Sequence, residues 1–190
     1  MNKSPFDAFP HIATDEIVLR KIVPGDLDSL FAIYSNERLF LHSPNMLKKN
    51  KPTVENMIGH FERDFHKGKE IFLGISASDS RDMVVGVAEI FDYDRDVNMV
   101  TIGYRLNEQF WGQGLATKAV KALTRYLFAE VGINRIQAFV MPENEKSLHV
   151  LRRSGFVEEG IIRQGHIWKG KGLVDLVLFS LLKADCDSGM

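Results

Sequence analysis

Cysteine is nearly absent from this chain of 190 residues: the single one, Cys186, lies in a polar tail. One thiol excludes an internal disulfide and a cysteine-built zinc site, and it leaves acyl-enzyme chemistry on sulfur without a nucleophile inside the fold. Excess charge is lacking too. With 24 Lys and Arg against 25 Asp and Glu the net charge is −1, too little of either sign to drive nonspecific binding to nucleic acid or to an anionic membrane. Long apolar runs are missing: residues 173–182 are broken by Asp175 and Ser180, well short of the roughly 20 apolar residues that cross a bilayer. Residues 1–9 carry one lysine and no apolar segment, so no secretory signal is read there and the chain is expected to be cytoplasmic. The six histidines show no His-Glu-x-x-His spacing and no Gly-x-Ser-x-Gly elbow occurs, so neither a metal nor a serine nucleophile is expected.

What is present is an ordinary globular composition, 45% hydrophobic and 26% charged, at a length that gives one domain with a core needing no staples. Residues 17–23 read as a first strand stopped by Pro24-Gly25, with Asp26 as the N-cap of a helix carrying Leu27, Leu30, Phe31 and Tyr34. After a break at Pro44, the Lys-rich run 48–52 reads as a solvated loop. Thr53 then caps a second helix with the stripe Val54, Met57, Ile58, Phe61 and Phe65. Residues 71–77, 83–91 and 97–106 read as strands whose short connections make them antiparallel neighbours. An amphipathic helix begins at Leu115 and stops at Gly132. A strand over 133–141 completes a crossover, and a short helix over 145–153 precedes two strands, 157–168 and 173–182, flanking Lys169-Gly170-Lys171-Gly172. The class is α/β, antiparallel in front with a strand-helix-strand crossover behind.

Two motifs carry chemistry. Trp111-Gly112-Gln113-Gly114-Leu115-Ala116-Thr117 joins a strand to a helix. Its glycines let the main chain approach a ligand, and the first helical amides have no acceptor of their own, an arrangement suited to a phosphate or a plain turn. A third glycine at Thr117 and a distant acidic residue would make it a dinucleotide fingerprint, and Gly-Lys-Ser/Thr would make it a Walker loop; it has neither. The second motif, Asn144-Glu145-Lys146-Ser147 leading to Gly155-Phe156, sets an amide and a hydroxyl at the start of a short helix. Each also reads singly as a cap.

In this order and spacing, together with Ile17-Val18-Leu19-Arg20 and Ile102-Gly103-Tyr104-Arg105-Leu106, the motifs resemble the GNAT superfamily of N-acetyltransferases, and within it the RimJ/RimL type that acetylates the N-terminal amine of ribosomal proteins. The resemblance implies a domain over residues 16–183, an N-terminal arm (1–15), a polar tail (184–190), and a mixed central sheet with helices on both faces. It implies acetyl-CoA as co-substrate, with the pyrophosphate on the amides of Gly112, Gln113, Gly114, Leu115, Ala116 and Thr117 beside Trp111. The arm of the coenzyme would lie between the strands ending at Leu106 and starting at Ile133, an oxyanion-stabilising amide around Tyr104, Arg105 or Leu106, and Asn144 near the cofactor.

Departures from the family pattern leave the catalytic roles open. Trp111 stands where the superfamily has Gln or Arg, Thr101 where many relatives carry a Glu base, and Leu151 where many carry a Tyr acid. Glu89, which shares a strand face with Val87 and Phe91, and His166, in the region of the RimL-type carboxylate, are the candidates for the base; Ser147 matches the RimL-type hydroxyl that protonates or orients the sulfur. The acceptor, a protein N-terminus or a small amine, is expected to meet residues 26–67 and the 168–173 hairpin tip, with Phe40, His42, Glu62, Asp64 and Trp168. A noncatalytic acyl-CoA sensor is the competing reading. Exposed edge strands allow a homodimer; no nucleic-acid or membrane partner is expected.

Overall fold

The computed structural model describes residues 3–43, 47–168 and 170–187; Pro44, Lys169 and the outermost residues of the expected arm and tail lie outside them. Short polar turns fold the third, fourth and fifth strands back on one another, and the amphipathic helix that follows carries the chain across to the sixth. In order the elements are β1 (Ile12–Ala13), β2 (Ile17–Lys21), α1 (Leu27–Tyr34), α2 (Lys51–His66), β3 (Glu70–Ala77), β4 (Gly86–Asp94) and β5 (Met99–Leu106). Then follow α3 (Leu115–Tyr126), β6 (Arg135–Val140), α4 (Glu145–Arg153), β7 (Val157–Trp168), β8 (Gly172–Leu182) and α5 (Lys183–Asp187). They form one sheet of order β1-β2-β3-β4-β5-β6-β8-β7. Among the described strands only β5 and β6, joined through α3, pair in parallel. This is the expected α/β architecture.

Alternation along the strands divides the core between the two sheet faces. Ala88 and Ile90 join Leu19, Leu73 and Val100 under Leu115, Ala119, Val120 and Leu123 of α3 and Leu148 and Leu151 of α4. Val87 and Phe72 lie on the opposite side with Leu30 and Ile33 of α1 and Val54, Ile58 and Phe61 of α2. There Phe61 stacks on Phe72 with ring centroids 4.0 Å apart. Helices therefore cover both faces, as expected.

The departures are local. The expected arm contains β1, whose Ile12 and Ala13 pair with Leu19 and Val18, and Phe6 and Phe9 pack on the core; two residues are too few to show a period. Thr53 is not the cap of α2. Asn50 accepts the Thr53 N–H at 3.0 Å and its hydroxyl at 2.8 Å, so the helix starts at Lys51 inside the lysine run, with Pro52 in a first turn that needs no N–H from it. Asp26 is the N-cap residue of α1, as expected, but its side chain makes no cap bond to that helix. It closes the Pro24–Asp26 3₁₀ turn by accepting the Val23 N–H at 2.8 Å and takes both arms of Arg20 at 2.9 and 2.8 Å. β4 starts at Gly86 rather than Met83 and β5 at Met99 rather than Val97, since both early residues are exposed and Asn98 turns at φ 56°. α3 runs on through a π turn, Leu127–Val131, before Gly132 ends it at φ 84°, and the tail enters α5. No described helix is long and apolar enough to cross a membrane. No cluster able to hold a metal occurs among the described residues.

Asp26 is 4% exposed and holds a guanidinium and a backbone amide at once, so removing it strands both. We expect Asp26→Ala to cost about 3 kcal/mol, read in a thermal melt as a Tm lower by about 6–12 °C; a shift under about 2 °C would contradict this.

Candidate active site

β5 and β6 share only three parallel pairs, Met99 with Arg135, Val100 with Ile136 and Thr101 with Gln137, although β5 continues to Leu106 and β6 to Val140. Past Thr101 the strands part. Alternate N–H and C=O groups of β5 beyond that point therefore face a gap instead of a neighbour. Thr101 itself, fully buried, accepts a bond from the Gln137 amide nitrogen Nε2 at 3.1 Å and closes the paired end, with no access to a ligand. The gap is a cleft of about 490 Å³, lined by Gly103, Tyr104 and Arg105 on one wall and by Ala138 and Val140 on the other.

The cleft gathers several of the residues singled out from the sequence. Glu89, Tyr104, Arg105, Asn144, Ser147 and His166 all line it. Asn144 is the N-cap of α4, its side chain accepting the Ser147 N–H at 3.3 Å. That cap fixes Ser147 in the first turn, and the Tyr104 hydroxyl lies 2.8 Å from Ser147 Oγ. Tyr104 was expected to act only through its main chain. Its phenol reaches the site from β5, while Leu151, at the position of the family's tyrosine, is buried in the core. Burial pushes the Tyr104 pKa above the usual phenol range, against the hydrogen bond to Ser147, so the pair stays protonated at neutral pH. His166 stands exposed on β7, edge-on to Trp168 at 6.2 Å.

Trp111, Gly112, Gln113, Gly114, Leu115, Ala116 and Thr117 do not line this cleft; they form the turn after β5 and the first turn of α3. Gly112 and Gly114 both sit at φ 76°, where a side chain is strained, and a Cβ on either would meet no protein atom within 4 Å. No side chain caps α3, so its N-terminal amides open onto that free space. Trp111 anchors the turn by donating its indole N–H to the Leu106 carbonyl at 2.9 Å, with the Lys146 ammonium 3.9 Å from its ring centroid.

Of the expected acceptor-end residues, His42 and Trp168 line the cleft. Phe40 packs its ring against the Arg105 guanidinium at 5.6 Å. Glu62 and Asp64 are not part of it: Glu62 pairs with Lys21 at 2.7 Å beside a separate hollow.

One row of charge crosses the sheet beneath the cleft. Glu89 is buried and accepts from Arg105 Nη2 at 2.5 Å, and the guanidinium also lies 5.1 Å from the Tyr34 ring. A Cβ at residue 103 would come within 3.0 Å of Glu89 Oε2; the glycine of the Ile-Gly-Tyr segment makes room for that carboxylate. Glu70, unnoticed in the sequence, opens β3 opposite Phe91. Its pKa is pushed up to about 7 by burial first and then by the Glu89, Asp64 and Asp92 carboxylates, with Arg105 opposing.

Because folding raises the Glu70 pKa from 4.5, the folded chain keeps a proton that the unfolded chain releases between about pH 4.5 and 7, and stability falls as pH rises through that window. Glu70→Gln has no such proton to lose. Glu70 is partly exposed, so after solvent screening we expect the variant to gain on the order of 1–2 kcal/mol relative to the parent between pH 5 and pH 8. Urea melts at the two pH values check this; an unchanged difference would contradict it.

Comparison with known proteins accounts for this arrangement. The family profile described as acetyltransferase (GNAT) domain matches residues 16–157. The uncharacterized N-acetyltransferase p20 of Bacillus licheniformis is 30% identical over 172 residues, 90% of this chain and 96% of its own. The ribosomal protein uS5-alanine N-acetyltransferase of Escherichia coli (strain K12) is 28% identical over 183 residues, 94% and 93% of the two chains. Among solved structures, the microcin C7 self immunity acetyltransferase MccE, in complex with acetyl-CoA and AMP, matches with a TM-score of 0.76 at 24% identity over 89% of this chain and 93% of its own, a likeness of fold. Most of the chain, including the parted strands, the glycine turn and the Asn144–Ser147 segment, thus falls within one domain, and the protein belongs to the GNAT family of acetyltransferases, whose acetyl donor is acetyl-CoA.

Proposed function

We propose that this acetyltransferase moves an acetyl group from acetyl-CoA to a primary amine, a protein N-terminal α-amine of the ribosomal-protein type or a small amine, by direct attack in a ternary complex. The observation that carries the reading is the parting of β5 and β6 after Thr101. It leaves main-chain donors and acceptors for an extended ligand to pair with, as an added strand would. The residues fit the donor: the uncapped N-terminus of α3 behind Gly112 and Gly114 suits a pyrophosphate. Amides of Tyr104 to Leu106 are placed to polarise a thioester carbonyl. Ser147, backed by the Tyr104 phenol at 2.8 Å, is the proton donor to the departing sulfur. With Glu89 neutralised by Arg105, Asp92 is the carboxylate of the cleft lining that would attract an ammonium. The uS5-alanine acetyltransferase relative favours the α-amine over other acceptors.

A noncatalytic acyl-CoA sensor would need the donor loop but not the hydroxyl pair or the ionisable cleft, so those features speak for catalysis. A thiol-release assay over alanyl peptides and polyamines decides: binding of acetyl-CoA without transfer to any amine would favour the sensor. We expect Gly114→Val to raise the acetyl-CoA Kd at least about tenfold while the melt keeps its cooperativity, since strain at that φ costs on the order of 1–3 kcal/mol. Affinity equal to the parent's would remove the proposed pyrophosphate site. Ser147→Ala should lower kcat about tenfold without abolishing turnover, because a thiolate of pKa about 8.5 leaves tolerably unaided.

A further inference from the structure

Direct attack needs an amine that has lost its proton, and a group in the cleft must receive it. The two groups named from the sequence are poorly situated. Glu89 Oε1 already accepts from Arg105 Nη2 at 2.5 Å, and His166 lies at the solvent-exposed side of the cleft on β7. A third ionisable group lines the same cleft. His42 follows the 3₁₀ turn Glu37–Phe40 and Leu41, and with Leu39 and Ser43 it forms the wall that faces His166 and Trp168.

Its Nδ1 is buried and has no hydrogen-bond partner among the described residues. A nitrogen sealed in this way is closed to a ligand as well as to water, whereas Nε2, unbonded among the described residues and not sealed, is the ring nitrogen that an amine in the cleft can meet. The surroundings keep the ring neutral. Burial and the nearby Lys171 push the His42 pKa below its ordinary value, with Glu143 opposing. Lys171 is fixed there, since its ammonium donates to the Leu41 carbonyl from the tip of the β7–β8 hairpin. The other charged or titratable groups around the cleft are the Glu89–Arg105 pair, Asp92, Tyr104 and His166. With the proton on Nδ1, Nε2 presents an unused lone pair.

We propose that His42 is the proton acceptor of the reaction, taking a proton from the incoming ammonium at Nε2; this rests on the acetyl-transfer reading above. The nitrogen lone pair so freed forms the C–N bond to the thioester carbonyl carbon, and the C–S bond breaks with its electron pair going to sulfur. The second N–H proton balances the one the thiolate takes up through the Ser147–Tyr104 hydroxyls. His42 then returns its proton to solvent. Ammonium and thioester thus become amide, thiol and one released proton.

The test compares pH profiles of kcat/KM for the parent, His42→Ala and His42→Gln, with acetyl-CoA and an alanyl peptide as substrates. In the parent, kcat/KM should fall at low pH as His42 becomes protonated. In both variants we expect kcat to drop about 10²–10³-fold, the histidine limb to vanish so that rate simply rises with the fraction of neutral amine, and added imidazole to restore part of the rate to His42→Ala. The acetyl-CoA Kd should stay within about twofold, because the donor loop lies outside this cleft. A variant as fast as the parent, or one that keeps the parent's acidic limb, overturns the assignment of His42 alone. A parent that binds acetyl-CoA and acetylates no amine overturns the reading of function, and the role of His42 with it.

Discussion

Between Thr101 and Leu106 the main chain of β5 has a hydrogen-bonded neighbour on one side only. Peptide groups left without partners inside a fold are costly, and natural proteins tolerate them where a ligand completes them. Every other part of the site is arranged around that gap. β4 holds one side of β5 through the register Gly86 to Leu106, and β8 holds β6 along its whole length, so the two strands stay parted without support from each other. The crossover carries the chain from the end of β5 through the glycine turn into α3 and back to β6, so in the proposed reading the turn and the cleft serve one ligand.

Electrostatics fix the floor of the cleft. Arg105 joins Glu89 to the aromatic rings of Tyr34 and Phe40, so one buried cation links β4, β5, the end of α1 and the following 3₁₀ turn. A pair of this kind contributes little by its charges alone once desolvation is counted, but either member without the other would be costly. Its consequence is positional: the segment that carries Leu39 to Ser43 is held against the sheet, and the cleft gets its second wall. Glu70 shows the limit of the arrangement, since a single guanidinium serves two carboxyls and the outer one is left with a raised pKa.

The sequence was most legible where the side-chain period was long. The α3 stripe at Leu115, Ala119 and Leu123, and the face shared by Val87 and Glu89, follow from spacing and appear as expected. Short and context-dependent features were not legible. β1 is two residues long, and the choice of Asn50 over Thr53 as cap depends on backbone geometry, since both are good capping residues. At the site, the glycine turn and Asn144–Ser147 stood out because motif spacing is local. The Tyr104–Ser147 bond joins residues 43 positions apart, and Glu70 meets Glu89 only through strand register, so neither leaves a local signal. His42 was seen as part of an acceptor wall, but its unpartnered nitrogen is a property of packing that no spacing encodes.

The open space above Gly112 and Gly114 has a bearing on descent. A site that grips through peptide groups is copied whenever the backbone path is copied, whatever side chains accompany it, and the indole of Trp111 can replace another residue so long as it pins the bend to Leu106. If the proposed coenzyme site is correct, chains that agree at only 28–30% of positions are free to inherit the same grip while drift reshapes the side chains of the cleft.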